Sequence, residues 1–289
     1  MSLQALANLN GKQMPLSEVM IPALDRGFLF GDAVYEVIRV YQGRPFLLTE
    51  HMQRLAHSLD AIRIGGVDFK QLEGRVFQTI AEGQFKEALV YIQITRGAGT
   101  GRSHSFPPQA TPLEFLYVQE FVDPFIEARK NGAAVIALPD IRWERCDIKS
   151  TNLLANVLAA QQAKEADCVE AIFIEDDGTI SEGSRTSLFG VLDGQVLTHP
   201  TGHAILPGIT RSLILRLAER AGIPIREQVM KKADVTRVSE LFLTGTTSEV
   251  LPIIRVDELK IGDGLPGPVT RRLQETYSGA VRELITQLT

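Results

Sequence analysis

Residues 28–62 read FLFGDAVYEVIRVYQGRPFLLTEHMQRLAHSLDAI, and two periods meet inside this stretch. From Val34 to Tyr41 apolar and polar residues alternate with β-branched enrichment, the two-residue period of a strand. Gln42-Gly43-Arg44-Pro45 then supplies turn chemistry before Phe46-Leu47-Leu48, so the first part reads as a hairpin. From Thr49 the period changes. Met52, Leu55, Leu59 and Ile62 recur at three- and four-residue intervals, an amphipathic helix with Thr49 as its N-cap and Arg54 off its apolar stripe. Strands running directly into a helix point to an α+β organisation.

The same alternation of elements extends outward. Residues 88–96 (ALVYIQITR) and 113–120 (LEFLYVQE) are strand-like, joined by GAGTGRSHSFPPQATP, whose glycines and prolines forbid regular structure. FVDPFIEARKNG, around 121–132, puts turn residues and charge between two apolar strand candidates. The chain is therefore divided into a smaller N-terminal domain over 1–121, a linker over 122–131 and a larger C-terminal domain over 132–289. The second half opens with the strand AAVIALP. After Lys149, STNLLANVLAAQQAKEA supplies capping residues and then apolar pairs at 153/154 and 157/158, a helix start with its buried face. Strands AIFIED and SLFGVLDG follow, then a helix from about Thr210 to Ala221 and the strand ELFLTGTTSEVLPI.

Composition narrows the function classes. The 289 residues carry 30 basic and 35 acidic side chains, a net charge of −5 with both signs spread along the chain, so no basic stripe is offered to a phosphate backbone or an anionic membrane. Two cysteines, Cys146 and Cys168, are too few for a disulfide framework and fit a reducing compartment. The opening MSLQALANLNGKQMPL lacks the features of a secretory signal, and no apolar run approaches the roughly 18–20 residues that span a bilayer. A cytoplasmic enzyme or binding protein is expected.

Several positions carry the residue types of a reactive site. Lys149, in RWERCDIKS, ends a mostly apolar region just before a helix start, where burial would disfavour the ammonium and free the amine for Schiff-base chemistry; the plain alternative is a surface lysine paired with Asp147 or Glu144. Glu182 lies in the strand, turn, strand segment TISEGSRTSLF, as a solvated turn residue or as a carboxylate against a pyridine nitrogen. Gly208-Ile209-Thr210-Arg211 opens a helix whose N-terminus offers free N–H groups to a phosphate, unless Thr210 is an ordinary cap. The Gly245-Thr246-Thr247-Ser248 turn and the forked guanidinium of Arg54 are further phosphate candidates. Arg102 and His104, two residues apart on the long loop, would point the same way if the loop is extended, and their natural partner is a carboxylate.

Other patterns do not carry function. Gly97-Ala98-Gly99-Thr100-Gly101 has neither the spacing nor the following helix of a dinucleotide fingerprint. His199 and His203 have metal-ligand spacing, but Pro200 and Gly202 preclude the helix that would align them, and Cys146 and Cys168 are expected as small core residues. No metal site is expected.

Taken together, DRGFLFGDAVYEV, TEHMQRL, Arg102-Ser103-His104, RWERCDIKS, EGS, PGITR and TGTTSEV, in this order from Asp25 to about Glu249, resemble the fold-type IV pyridoxal-phosphate enzymes. That group includes branched-chain aminotransferases, aminodeoxychorismate lyases and D-amino-acid transaminases, and the R-x-H pair is similar to the last. The resemblance implies a two-domain α+β fold with the cofactor, pyridoxal 5′-phosphate, at the domain interface. It implies covalent attachment to Lys149, which also shuttles the substrate α-proton, and Glu182 at the pyridine nitrogen. Arg54, Ile209, Thr210, Gly245 and Thr246 correspond to the phosphate cup, and Leu206 to the residue packed on the cofactor ring. Tyr35, Arg102 and His104 correspond to a trap for the substrate α-carboxylate, with the loop supplied by the neighbouring subunit of a homodimer.

The implied reaction is exchange of the amino group of D-alanine with 2-oxoglutarate in two half-reactions. The alternatives on the same scaffold are an L-branched-chain aminotransferase, an aminodeoxychorismate lyase and an (R)-amine transaminase, and beyond them a catalytically silent cofactor-binding protein. Two departures from the family pattern stand out. Arg185-Thr186-Ser187 follows Glu182-Gly183-Ser184 where S-x-S-N is common after E-G, and Gly245 stands where serine is often found.

Overall fold

The computed structural model of the chain describes residues 5–286. They form two compact units. The first takes the chain up to Val122, a short return over Ile148–Asn152, and the residues from Leu284 on; the second takes Asp123–Asp147 and Leu153–Glu283.

The first unit contains strands β1 (Ala5–Leu9), β2 (Lys12–Pro15), β3 (Ala33–Tyr41), β4 (Arg44–Pro45), β5 (Ala88–Thr95) and β6 (Leu113–Glu120), with helices α1 (Arg26–Phe30), α2 (Leu48–Ala61) and α3 (Phe69–Glu82). The strands make one antiparallel sheet in the order β2-β1-β6-β5-β3-β4. Alternate residues of three strands, such as Val34, Ile38, Val90, Ile92, Leu116 and Val118, form one apolar face. Met52, Leu55 and Leu59 of α2 and Leu72, Val76 and Ile80 of α3 close over it. Ile148, from the return segment, is buried in the same core, worth about 1.5–3 kcal/mol for an aliphatic side chain of its size.

Local chemistry moves the boundaries that periodicity suggests. Phe28-Leu29-Phe30 belongs not to a strand but to α1, because the buried Asp25 carboxylate caps Gly27 N and Phe28 N at 2.9 and 3.3 Å, and Gly31, at φ 66°, ends the turn. The hairpin after Tyr41 is shorter than 28–48 implies. Gln42 and Gly43 both take positive φ, as a tight two-residue turn requires, and β4 ends at Pro45. Leu47, itself at φ 55°, is the N-cap residue of α2 with no side-chain cap, so Thr49 lies inside the helix rather than at its cap.

The second unit contains α4 (Ile126–Asn131), β7 (Ala133–Pro139), α5 (Leu154–Glu165), β8 (Glu170–Ile174), β9 (Thr179–Gly183), β10 (Ser187–Leu192), β11 (Gln195–Thr198), α6 (Ile209–Arg220), β12 (Ile225–Glu227), β13 (Met230–Lys231), β14 (Glu240–Gly245), β15 (Glu249–Val256), β16 (Leu259–Lys260) and α7 (Pro268–Thr286). Its sheet runs β12-β11-β10-β14-β15-β7-β8-β9-β13, with β16 on β15. The β11/β12, β15/β7 and β7/β8 pairs are parallel and the rest antiparallel. Near-continuous burial along β8, β9, β10 and β14 reflects a sheet covered on both faces. ELFLTGTTSEVLPI is two strands, β14 and β15, folded back on each other through Thr246-Thr247-Ser248.

Helix α5 reverses the expected burial. Its alanines, Ala159 and Ala163, are the side chains packed with Ala171 and Phe173 of β8, because only small residues permit so close an approach. Leu154, Val157 and Leu158 face outward, 73%, 58% and 49% exposed. The residues read as its caps serve α1 instead: Thr151 Oγ1 and Asn152 Nδ2 donate to Gly31 O at 3.3 and 3.1 Å. No helix among the described residues is long and apolar enough to cross a membrane.

Candidate active site

In the first unit, Lys149 is held as part of a strand-like return. Its carbonyl accepts from Tyr35 N at 3.0 Å, Thr151 N donates to Ala33 O at 3.1 Å, and Lys149 N donates to Ser58 Oγ of α2 at 3.2 Å. Half-buried between Ile148 and Ser150, Lys149 places its Nζ 4.2 Å from the centre of the Tyr35 ring. The surface pairing with Asp147 is not made, since both Asp147 oxygens accept from Arg145 at 2.9 Å. Tyr35 stacks on Tyr91, which stacks on Tyr117, so the lysine faces an aromatic wall; burial pushes the phenols of Tyr91 and Tyr117 up.

Beside it lies a buried charge cluster centred on Glu36. Glu36 sits on the apolar face of β3, between Val34 and Ile38, and is fully buried. A carboxylate there needs cations. Arg54 supplies a two-pronged contact, Nε to Oε1 and Nη2 to Oε2, each 2.7 Å, and His51 Nδ1 lies 2.7 Å from Oε2. Burial pushes the Glu36 carboxyl up, but the charge and hydrogen bonds of Arg54, then those of His51, overcome it and hold it at about 2. Burial pushes the His51 imidazole down, helped by the charges of Arg54 and Lys149 and opposed by Glu36, so the neutral ring is favoured at pH 7 and the charged one only in acid.

The cluster predicts an acid response. Glu36 has an ordinary pKa of 4.5 and a lower folded value, so the stability it contributes is complete above pH 4.5 and is lost as pH falls towards about 2. The span corresponds to about 3 kcal/mol at most. His51, also lowered, adds a loss beginning below its ordinary 6.5. Urea midpoints measured from pH 7 to pH 3 should fall steeply for the wild type; Glu36→Gln should be less stable at pH 7 and show a flatter slope below pH 4.5. An unchanged slope would remove Glu36 from the acid response.

In the second unit the centre is Glu182 at the end of β9, 5% exposed. Leu206 N donates to both its oxygens at 3.1 and 3.2 Å, and Arg142 Nη1 donates to Oε1 at 2.6 Å. The glutamate is not a solvated turn residue. Arg142 is a residue the sequence reading passed over, although it lies in RWERCDIKS. It is fixed by Asp140 through Nε and Nη2 at 2.9 and 2.7 Å, by Ser181 Oγ and Ala204 O at 3.2 Å each, and by the Phe173 ring at 4.4 Å. Burial opposes its charge, but Asp140 and Glu182 raise the guanidinium further above its already high range. Nearby, burial pushes the Cys146 thiol up to about 11, against the pull of Arg142, which removes it as a thiolate at neutral pH. Cys168 packs in the small core under α5. The His199 Nδ1 partner is Pro200 O, at 2.7 Å, and no group of metal-ligating side chains occurs among the described residues.

The proposed phosphate positions of this unit converge on Thr186-Ser187. Gly208 is the N-cap of α6 with no side chain capping it, so Thr210 is a buried residue of the first turn and not its cap. A Cβ at Gly208 would lie 2.6 Å from Ser187 Oγ, so glycine lets the helix start approach Ser187 without displacing its hydroxyl. Ser187 pairs with Thr244, and Gly245 lies beside Thr186, which brings the Gly245-Thr246 turn to the same place. The hydroxyls of Thr244 and Ser248, flanking that turn, are buried without hydrogen-bond partners. Unsatisfied hydroxyls, a small-residue turn and an uncapped helix start are the donor set that a phosphate monoester requires. The departures have structural partners too: buried Glu170 accepts from Ser184 Oγ and, at 3.2 Å, from Thr186 Oγ1, with Arg185 Nε 3.6 Å away.

The long loop between β5 and β6 brings Arg102 and His104 together. The Arg102 guanidinium carbon lies 5.2 Å from the centre of the Phe30 ring and the His104 ring packs edge-on against the same ring at 5.3 Å, so both side chains reach one ring. Arg26, on α1, holds the loop backbone: Nη1 donates to Ser103 O and Ser105 O at 2.5 and 3.3 Å, Nη2 to His104 O at 3.0 Å.

The family model described as Amino-transferase class IV matches residues 33–256. A D-alanine aminotransferase of Staphylococcus aureus (strain MSSA476) is 38% identical over 271 residues, covering 93% of this chain and 95% of that protein, and a D-alanine aminotransferase of Bacillus licheniformis is 38% identical over 276 residues, covering 94% and 95%. Among solved structures, a branched-chain amino acid aminotransferase of Escherichia coli superposes with a TM-score of 0.89 at 27% identity, covering 96% of this chain and 94% of that one. A branched-chain amino acid aminotransferase from T.th., solved with pyridoxamine 5′-phosphate, superposes with a TM-score of 0.88 at 26% identity, covering 97% and 95%. With the family model spanning β3 to β15 and relatives matched over nearly their whole length, the chain belongs to the class IV amino-transferase family.

Proposed function

We propose that this protein is a cytoplasmic D-amino-acid aminotransferase, working as a homodimer, that exchanges the amino group of D-alanine with 2-oxoglutarate through pyridoxal 5′-phosphate. The observation that carries the reading is the pairing of Arg102 and His104 on one ring, Phe30, two cationic or hydrogen-bonding groups set side by side for a carboxylate. When bound, the cofactor supplies an aldehyde for an amine and a protonated ring that accepts the electron pair left by a departing α-proton.

Lys149 Nζ would be the amine that holds the cofactor and, as a free amine, the base that would move the proton at the substrate α-carbon. Glu182, fixed by Arg142 and Leu206 N, would accept from the protonated ring nitrogen, and Leu206 would pack on the ring. Thr210 with Ile209 N, the Gly245-Thr246 turn, and the Thr244 and Ser248 hydroxyls bind the phosphate. Arg54 joins them with two nitrogens already engaged by Glu36, so its guanidinium is oriented in advance. Tyr35, with Arg102 and His104 of the neighbouring subunit, holds the α-carboxylate and thereby decides which face of the α-carbon meets Lys149. Outward-facing Leu154, Val157 and Leu158 on one side of α5 suit burial against a second copy.

Visible absorbance tests the reading directly. The yellow colour of the Lys149-bound cofactor should bleach with D-alanine and stay unchanged with L-alanine. Bleaching by L-leucine and not D-alanine would favour the second reading, an L-branched-chain aminotransferase, which the close superposition on such enzymes keeps in view. A colourless protein that takes up no cofactor would overturn both.

A further inference from the structure

We propose that α1 is the seat that sets the carboxylate trap, with Arg26 as the positioning residue for His104 and Phe30 as the ring on which both His104 and Arg102 rest; the inference rests on the trap reading of those two residues. Arg26 is 5% exposed, yet its guanidinium spends its Nη donors on three consecutive carbonyls, Ser103, His104 and Ser105, of a loop that is otherwise exposed and without regular structure. A fork gripping three successive peptide units fixes their orientation and so fixes the direction in which His104 leaves the backbone, while Arg102, one residue before them, is seated through its contact with Phe30. The fork is itself fixed. Arg26 Nε donates to Asp32 Oδ2 at 2.8 Å, and the same Asp32 accepts from Arg96 Nε and Nη2 at 2.7 and 3.0 Å. Burial pushes the Asp32 carboxyl up, but Arg96 and Arg26 together hold it below the usual range, so it stays charged.

Arg96 extends the seat along the loop. Its guanidinium carbon lies 3.6 Å from the centre of the Phe106 ring, and its remaining donors reach Arg63 O and Ile62 O at 2.9 and 2.6 Å, where α2 ends. One turn of α1 therefore offers two kinds of contact to residues 102–105: Arg26 holds the backbone of 103–105, and Phe30 carries the side chains of Arg102 and His104. Asp25, capping α1 and bonded to Thr95 Oγ1 at 2.6 Å, ties the seat to β5. A flexible loop bearing a cation and an imidazole would bind a carboxylate only after ordering itself; a seated loop has met that ordering cost in advance.

Arg26→Lys keeps the charge but cannot grip three carbonyls. In the holoenzyme, KM for both D-alanine and pyruvate, which share the α-carboxylate, should rise by roughly tenfold or more, the loss falling on KM rather than kcat. Bleaching by hydroxylamine, an amine without a carboxylate, should proceed at the wild-type rate, and trypsin should cut after Arg102 faster than in the wild type. Phe30→Leu, at a half-buried position that tolerates the change in folding terms, should raise the same KM values if Arg26→Lys fails to fold. KM unchanged in whichever of these variants folds, with KM raised in Arg102→Ala, would overturn the seat and leave the trap standing. KM unchanged in Arg102→Ala would overturn the trap reading itself, and the seat with it.

Discussion

Replacing Lys149 by alanine is expected to reduce turnover of D-alanine with 2-oxoglutarate by roughly 10⁴-fold, the scale of losing the group that moves the proton, with the covalent tether lost besides. The fold should survive. Lys149 is bound into the first unit through its backbone, to Tyr35 N and Ser58 Oγ, and its side chain is only half-buried. Two measurements separate cause from collapse: the thermal midpoint of the variant, expected near that of the wild type, and the mass of borohydride-treated protein, expected to lack the cofactor adduct. Undiminished turnover in a well-folded variant would refute the assignment of Lys149.

Glu182→Gln is expected to lower kcat by roughly 10²–10³, the usual size of one preorganised electrostatic contact to a developing charge. The side chain keeps its shape, so Leu206 N and Arg142 Nη1 retain an oxygen to meet. What changes is the charge. A neutral amide cannot stabilise a protonated pyridine nitrogen, so the loss should fall on the step that generates the carbanion, seen as a larger isotope effect with α-deuterated D-alanine. Cofactor uptake should be less affected, because the proposed phosphate donors lie on α6 and the β14–β15 turn. A kcat within threefold of wild type would place Glu182 outside the reaction.

What was legible in the sequence follows from how far each interaction reaches along the chain. The strand alternation from Val34 to Tyr41 and the helical stripe Met52, Leu55, Leu59 are local, and both elements are present. Thr49 failed as a cap because a backbone turn at Leu47, not a side chain, starts α2. The outward face of α5 was misread because leucine and valine pairs normally mark the buried side, and a helix packed through alanines inverts that rule. Arg142 and Glu182 are 40 residues apart, and Arg26 and the tripeptide it grips nearly 80, so no window contains both members. The Glu36 cluster does leave a local trace in the sequence. Glu36 occupies an apolar position of the β3 alternation, which obliges a buried partner, and His51 and Arg54 stand one helical turn apart on the element that follows.

The return of Ile148–Asn152 to the first unit has a consequence for how the protein is made. Ile148 completes that unit's core, and residues 149–151 satisfy backbone groups of Ala33 and Tyr35 at the start of β3. Arg44 Nη1, at β4, donates to Leu284 O at 2.9 Å. During synthesis the first 122 residues therefore emerge from the ribosome without the segment that finishes their own sheet and core. Vectorial folding, in which one domain is complete before the next begins, is closed to this chain. A fragment ending at Val122 would present β3 with unmet backbone groups beside an open apolar hole, and a nascent chain stalled there would be a client for chaperones rather than a folded domain.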